Sequence, residues 1–113
     1  AANDGWIMII NADNTFTCKL NSTSVTSAAT LDTNWHHIGC VINRSGNSQA
    51  YIDGKPTGSA VSTTGITLSV ASTATSIGTN NYTTRTNFFN GVLDELQIFN
   101  FALNQYQIRT MFR

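Results

Sequence analysis

Apolar and polar positions alternate in short runs along this chain, and the runs are separated by clusters of Asn, Asp, Ser and Gly. Trp6 to Ile10 is an apolar run, and Thr15 to Leu20 alternates, with Phe16, Cys18 and Leu20 sharing one parity. Asn11-Ala12-Asp13-Asn14 between them predicts a turn, so the two runs predict a β-hairpin. Asn21 to Asn34 is small and polar, a loop with at most one short strand near Val25. Trp35 to Asn43 is the strongest predicted strand. Ile38, Cys40 and Ile42 fall on one face, and Trp35, His37, Gly39 and Val41 on the other. Apolar residues on both faces predict an interior strand of a sandwich.

Arg44-Ser45-Gly46-Asn47 turns the chain into a strand ending at Asp53. Asp53-Gly54 is a hairpin signal, because a type I′ turn needs φ > 0 at both central residues. Thr57 to Ser62 returns from that turn, and Pro56 near its start is tolerated there. Ile66, Leu68 and Val70 alternate and suggest another strand, as does Thr75 to Thr79. Thr79 to Asn87 predicts a long polar loop, and Val92 to Phe99 a last strong strand. Asn104 to Phe112 reads as a helix. Asn104 at the N-cap with Gln107 three residues on is a capping-box pattern. Ile108, Met111 and Phe112 would pack one face onto a sheet.

Two blocks of this pattern go further than secondary structure. Trp35-His36-His37-Ile38 is followed by Tyr51-Ile52-Asp53-Gly54. Phe89, Gly91, Leu93-Asp94-Glu95 and Ile98-Phe99-Asn100 are followed by Ala102-Leu103-Asn104, then Gln107-Ile108. In this order the motifs resemble the laminin G-like and pentraxin-like branch of the concanavalin A-like lectin/glucanase superfamily. The resemblance implies an all-β fold: an antiparallel β-sandwich of jelly-roll type with a short C-terminal helix, one domain over residues 1–113. It also implies broad functions, including carbohydrate binding, adhesion, accessory modules of glycosidases, and virion or surface decoration. Family domains usually carry strands before the Gly-Trp hairpin that have no counterpart here. The chain is therefore read as a compact variant, a processed product or a fragment. A sheet edge left bare by that absence would invite a partner strand or a homo-oligomer.

Composition narrows the functions. Six Lys and Arg balance six Asp and Glu, so net charge favours neither nucleic acid nor an anionic membrane. No apolar run is long enough for a transmembrane helix. Ser, Thr and Asn far outnumber Lys and Glu. Thr suits strands, and Asn and Ser suit turns. This composition fits an extracellular, cell-surface or virion-surface β protein. Cys18 and Cys40 share the apolar parity of successive strands. They read equally as a disulfide between pairing neighbours or as two buried thiols. Three Asn-x-Ser/Thr patterns start at Asn21, Asn43 and Asn81.

Candidate chemistry is sparse. Asp94 shares parity with Val92, Leu96 and Ile98, which points it inward, where a carboxylate must be hydrogen-bonded, paired or bound to a cation. Two readings stand: one calcium ion, as in relatives with such a site, or a carboxylate accepting backbone N–H groups. Calcium takes six to eight oxygens, so Asp94 alone is not a site. His36 and His37 are adjacent on a strand and point to opposite faces, so they do not chelate one ion together. Trp35 is read first as a core residue and second as a sugar platform. The polar loop carries the preferred ligand-binding set: Tyr82 with Asn80, Asn81, Arg85 and Asn87. Sugars are recognised by an aromatic face with amide and guanidinium donors. Catalysis is not expected. Asp94 and Glu95 face opposite ways on a strand, whereas glycosidases need two carboxyls converging across a sugar. The leading function is a non-catalytic carbohydrate-recognition module. The alternative is a structural or assembly module whose partner is a protein surface.

Overall fold

The computed structural model describes residues 5–68, 75–80 and 84–112. Six strands and one helix follow in chain order: β1 (Trp6–Ile10), β2 (Phe16–Leu20), β3 (Thr23–Thr26), β4 (Ile38–Val41), β5 (Asn47–Ile52), β6 (Lys55–Ser62) and α1 (Gln105–Phe112). They form two antiparallel sheets of three strands each, β1-β2-β3 and β4-β5-β6. The core lies between them. Phe16, Cys18 and Val25 of the first sheet meet Ala50 of the second, with Ile38, Cys40, Ile42, Ile52 and Val61 packed around them. Phe16 is 0 % exposed. The parity expected from the sequence holds in β2 and β4, because a period of two fixes which side chains share a face.

Local chemistry sets the turns. Asp53 (φ 49°) and Gly54 (φ 78°) both adopt the left-handed region, as a type I′ turn requires. A register shift between Ser48 and Ala50 bulges β6 around Gly58, which has a φ of 77°. A Cβ at Gly58 would lie 2.1 Å from the Thr26 carbonyl oxygen, so only glycine fits where β6 crosses the end of β3. Beside it Thr57 Oγ1 accepts the backbone N–H groups of Ala28 and Ala29, at 3.0 and 2.9 Å. These bonds close one side of the sandwich.

The helix covers the outer face of the second sheet, where Ile108 packs with Val41 and Tyr51, flanked by Leu103 and Met111. Its capping box is reciprocal. Gln107 N–H donates to Asn104 Oδ1 at 2.9 Å, and Asn104 N–H donates to Gln107 Oε1 at 2.8 Å.

Four expectations are corrected. The strong Trp35–Asn43 run is strand only over Ile38–Val41, and among the described residues β4 is an edge rather than an interior strand. Its two apolar faces are explained by layering: the first sheet covers one and α1 the other. Cys18 and Cys40 are not on pairing neighbours, since β2 and β4 belong to different sheets. They form a disulfide across the core with a Cα–Cα distance of 6.1 Å. Thr75 to Thr79 forms no strand, nor do Ile66 and Leu68; Val70 lies outside the described residues. Val92 to Phe99 forms no strand either, and every residue from 84 to 102 is exposed. Glu95 sits at φ 51°, which breaks the alternation a strand needs.

Candidate functional site

The chemistry concentrates where the β5–β6 turn meets the loop leading into β4. The type I′ turn presents Asp53 toward residues 36 and 37. Its Oδ1 accepts the His37 backbone N–H at 3.0 Å, and its Oδ2 lies 2.8 Å from His36 Nδ1. The Asp53 N–H donates to the His37 carbonyl at 2.8 Å, so backbone pairing continues past the end of β4. The other ring nitrogen of His36, Nε2, lies 2.6 Å from Asp32 Oδ1. Asp32 also accepts the Asn34 backbone N–H at 2.8 Å and its side-chain amide at 3.1 Å.

His36 therefore bridges two carboxylates. A neutral imidazole has one N–H and leaves one of these contacts without a proton; the imidazolium satisfies both. The hydrogen bond to Asp53 and then that to Asp32 raise the His36 pKa above its ordinary value. Asp32 is lowered, first by the Asn34 N–H and then by His36. A carboxyl held ionised in this way cannot serve as the general acid that glycoside hydrolysis requires.

Between these anchored residues stands Trp35, which is 69 % exposed. The core placement expected for it is overturned. The carboxylate contacts fix the backbone on its C-terminal side while the indole projects into solvent. Next to it lie the exposed Asp32 carboxylate and the Asn34 amide. On the covered side, His37 packs its ring against Phe112, with centroids 6.4 Å apart and a tilt of 54°. His37 Nδ1 is buried without a hydrogen-bond partner among the described residues.

The ligand set expected from the sequence is arranged differently. Asn81 and Tyr82 lie outside the described residues. Arg85 Nη1 donates to the Asn80 carbonyl at 3.0 Å. The Asn80 side chain donates to Thr86 Oγ1 at 2.5 Å and accepts the Thr86 N–H at 3.1 Å. Asn87 takes φ 53°. Asn80 and Arg85 thus make bonds within their own loop.

Asp94 is exposed, and its Oδ1 accepts the neighbouring Glu95 N–H at 2.8 Å. The inward placement that motivated a cation is not found. One exposed carboxylate does not fit calcium's demand for six to eight oxygens. Among the described residues no group of three or more His, Cys, Asp or Glu is placed to hold a metal ion. A shallow apolar groove of about 500 Å³ runs between α1 and the stretch from Gln97 to Phe101.

The sequence carried a signal for the Trp35 corner that parity reasoning passed over. Asp32-x-Asn34 is an Asx-type turn pattern, which favours a loop and not a strand just before Trp35. Histidine four residues after Asp32 and next to the Asp-Gly hairpin partner completes the pattern.

Comparison with known proteins bears on the whole chain. A laminin G family model described as the concanavalin A-like lectin/glucanases superfamily matches residues 1–109. Comparison with curated proteins finds no match. A solved structure, that of residues 221–444 of an S-layer domain-containing protein from Clostridium thermocellum ATCC 27405, is similar with a TM-score of 0.60 at 19 % identity. The match covers 96 % of this chain and 64 % of that one, so this chain spans less than two thirds of its length.

Proposed function

The chain belongs to the concanavalin A-like lectin/glucanase superfamily, and from that premise we propose that it is a non-catalytic module that recognises carbohydrate on an extracellular or cell surface. The observation that carries this reading is the exposed Trp35 indole beside Asp32 and Asn34. An aromatic face takes the C–H side of a sugar ring, and an adjacent carboxylate and amide take its hydroxyls. The loop is held by His36 before a ligand arrives, which lowers the ordering cost of binding. The Cys18–Cys40 disulfide suits an oxidising compartment, and similarity to an S-layer domain-containing protein fits an exterior location. No helix among the described residues is long and apolar enough to cross a membrane.

A glycan array followed by titration of a hit tests the reading. Trp35→Ala should weaken binding at least about tenfold, or roughly 1.4 kcal/mol, with the fold unchanged by circular dichroism. Unchanged affinity in that variant removes Trp35 as the platform, and an array without hits removes the carbohydrate reading. Adding calcium to the same titration tests the cation expected at Asp94; no change in affinity or melting removes it.

The second reading, an assembly module, is favoured by one observation: the apolar residues exposed on β1 and between residues 88 and 101.

A further inference from the structure

We propose that a second copy of this chain covers that apolar surface, with the stretch Val92–Phe99 of each copy adding as a strand to the β1 edge of the other. This proposal is independent of the sugar site.

The first half of the interface is β1. Among the described residues it pairs only with β2, and no described strand lies beside its outer edge. Trp6, Met8 and Ile10 stand opposite Leu20, Cys18 and Phe16 in the ladder and so share their core-facing side. Leu20, Cys18 and Phe16 are buried, yet Trp6 is 51 % exposed and Met8 is exposed as well. The second sheet does not extend over β1, and the core face is bare there. Ile7 and Ile9, on the opposite face, are also exposed. An edge strand with large apolar residues on both faces and no charge within it lacks the features by which native edges avoid pairing.

The second half is the stretch after Gly91. Val92, Leu96 and Ile98 share one parity, and Leu93 and Phe99 the other; all are exposed, Ile98 to 67 %. The composition is that of a strand without a ladder partner. Its two parities match the two bare faces of β1, and its eight residues outspan the five of β1. Pairing would carry Glu95 out of its left-handed conformation.

A second copy is favoured over closure within one chain by where the stretch is tethered. Leu103, four residues after Phe99, packs with Ile108 on the outer face of the second sheet. That face lies on the far side of the molecule's core from β1. The area is also sufficient. These side chains expose apolar surface on the order of the ~800 Å² per partner that a standard specific interface buries. Each copy gives one strand and receives one, so two copies close the exchange by a two-fold axis.

Sedimentation across a concentration series, with the disulfide intact, tests the proposal. The chain should run as a dimer at micromolar concentration. Met8→Lys and Leu96→Glu should each lower the dimer population at least tenfold, since each buries an unpaired charge. Mixing Met8→Lys with Leu96→Glu should restore dimers, because one strand pair of the mixed dimer then carries both opposite charges and the other carries neither. A chain that is monomeric throughout, including one whose 92–99 amides are protected from exchange by its own β1, overturns the proposal. Open-ended assembly, or a dimer that neither variant weakens, overturns it as well. Both substituted side chains are exposed in the single chain, and unchanged circular dichroism in each variant verifies folding.

Discussion

Phe16–Leu20 and Val92–Phe99 are both apolar-rich segments that read as strands, and the structure treats them in opposite ways. The first is β2, flanked by β1 and β3, faced by the second sheet and pinned by the Cys18–Cys40 disulfide. The second is irregular and exposed throughout. The difference lies in partners and not in propensity. A strand's side chains are worth little until cross-strand neighbours and a facing layer remove them from water. The comparison separates what a sequence says about the preference of a segment from what it says about that segment's place.

The largest effect expected from this contrast comes from truncating one aromatic in each region. Phe16→Ala should cost about 3–5 kcal/mol, since it empties a fully buried site between the sheets. Phe88→Ala, at a residue open to solvent, should stay within about 0.5 kcal/mol. Chemical denaturation at low protein concentration gives both values. A substantial loss on truncating Phe88 would mean that the C-terminal stretch is packed in the single chain, and the contrast between the regions would collapse.

Next in size is the disulfide. Joining β2 to β4 restrains the chain across a sequence separation of 22 residues. Replacing both cysteines by alanine should cost roughly 3 kcal/mol, with the exact value dependent on how the unfolded state is treated. Thermal melting of the double variant, compared with the oxidised chain, measures it. A change below about 1 kcal/mol would show that the sheets hold together without the cross-link.

Much of the sandwich was legible in the sequence, because its signals are local. The Asp53-Gly54 turn is set by two residues, the parity of β2 and β4 by a period of two, and the α1 cap by Asn104 and Gln107. What was not legible depended on distant placement. The Cys parity was right, but the pairing of β2 with β4 was not, since facing sheets and neighbouring strands give the same parity. Asp94 looked inward only if Val92–Phe99 was a strand, and that required a ladder partner. Trp35 looked like the start of a core strand until Asp32 and Asp53 held His36 between them and left the indole outside. The preferred polar loop is only partly described, since Asn81 and Tyr82 lie outside the described residues. Asn80 and Arg85 have the right chemistry for a ligand but bond within their own loop.

The smallest predicted effect is also the one that sharpens the contrast at the candidate site. The His36 bridge ties the loop carrying Trp35 to the sandwich, whereas among the described residues no such bridge ties Val92–Phe99. His36 has a raised pKa in the folded chain. Its contribution to stability is therefore fully present below the unfolded value near 6.5 and is lost as pH rises through the folded value. Asp32 has a lowered pKa, so its contribution is present above the ordinary value of 3.8 and is lost as pH falls through the folded value. Together these place the firmest anchoring of Trp35 in the mildly acidic range between the two. Histidine ring resonances followed by NMR should report a His36 titration midpoint above that of an unperturbed histidine. Over the same rise in pH, exchange of the Asn34 and His37 backbone amides, which donate to Asp32 and Asp53, should quicken once corrected for its intrinsic pH dependence. His36→Gln should remove the alkaline limb of that profile and Asp32→Asn the acidic limb. The bridge is largely exposed on the Asp32 side, so global melting should shift little, and the effect belongs to the loop. A His36 midpoint at or below the ordinary value, or protection of the Asn34 and His37 amides that stays flat across it, would dissolve the bridge as an anchor for Trp35.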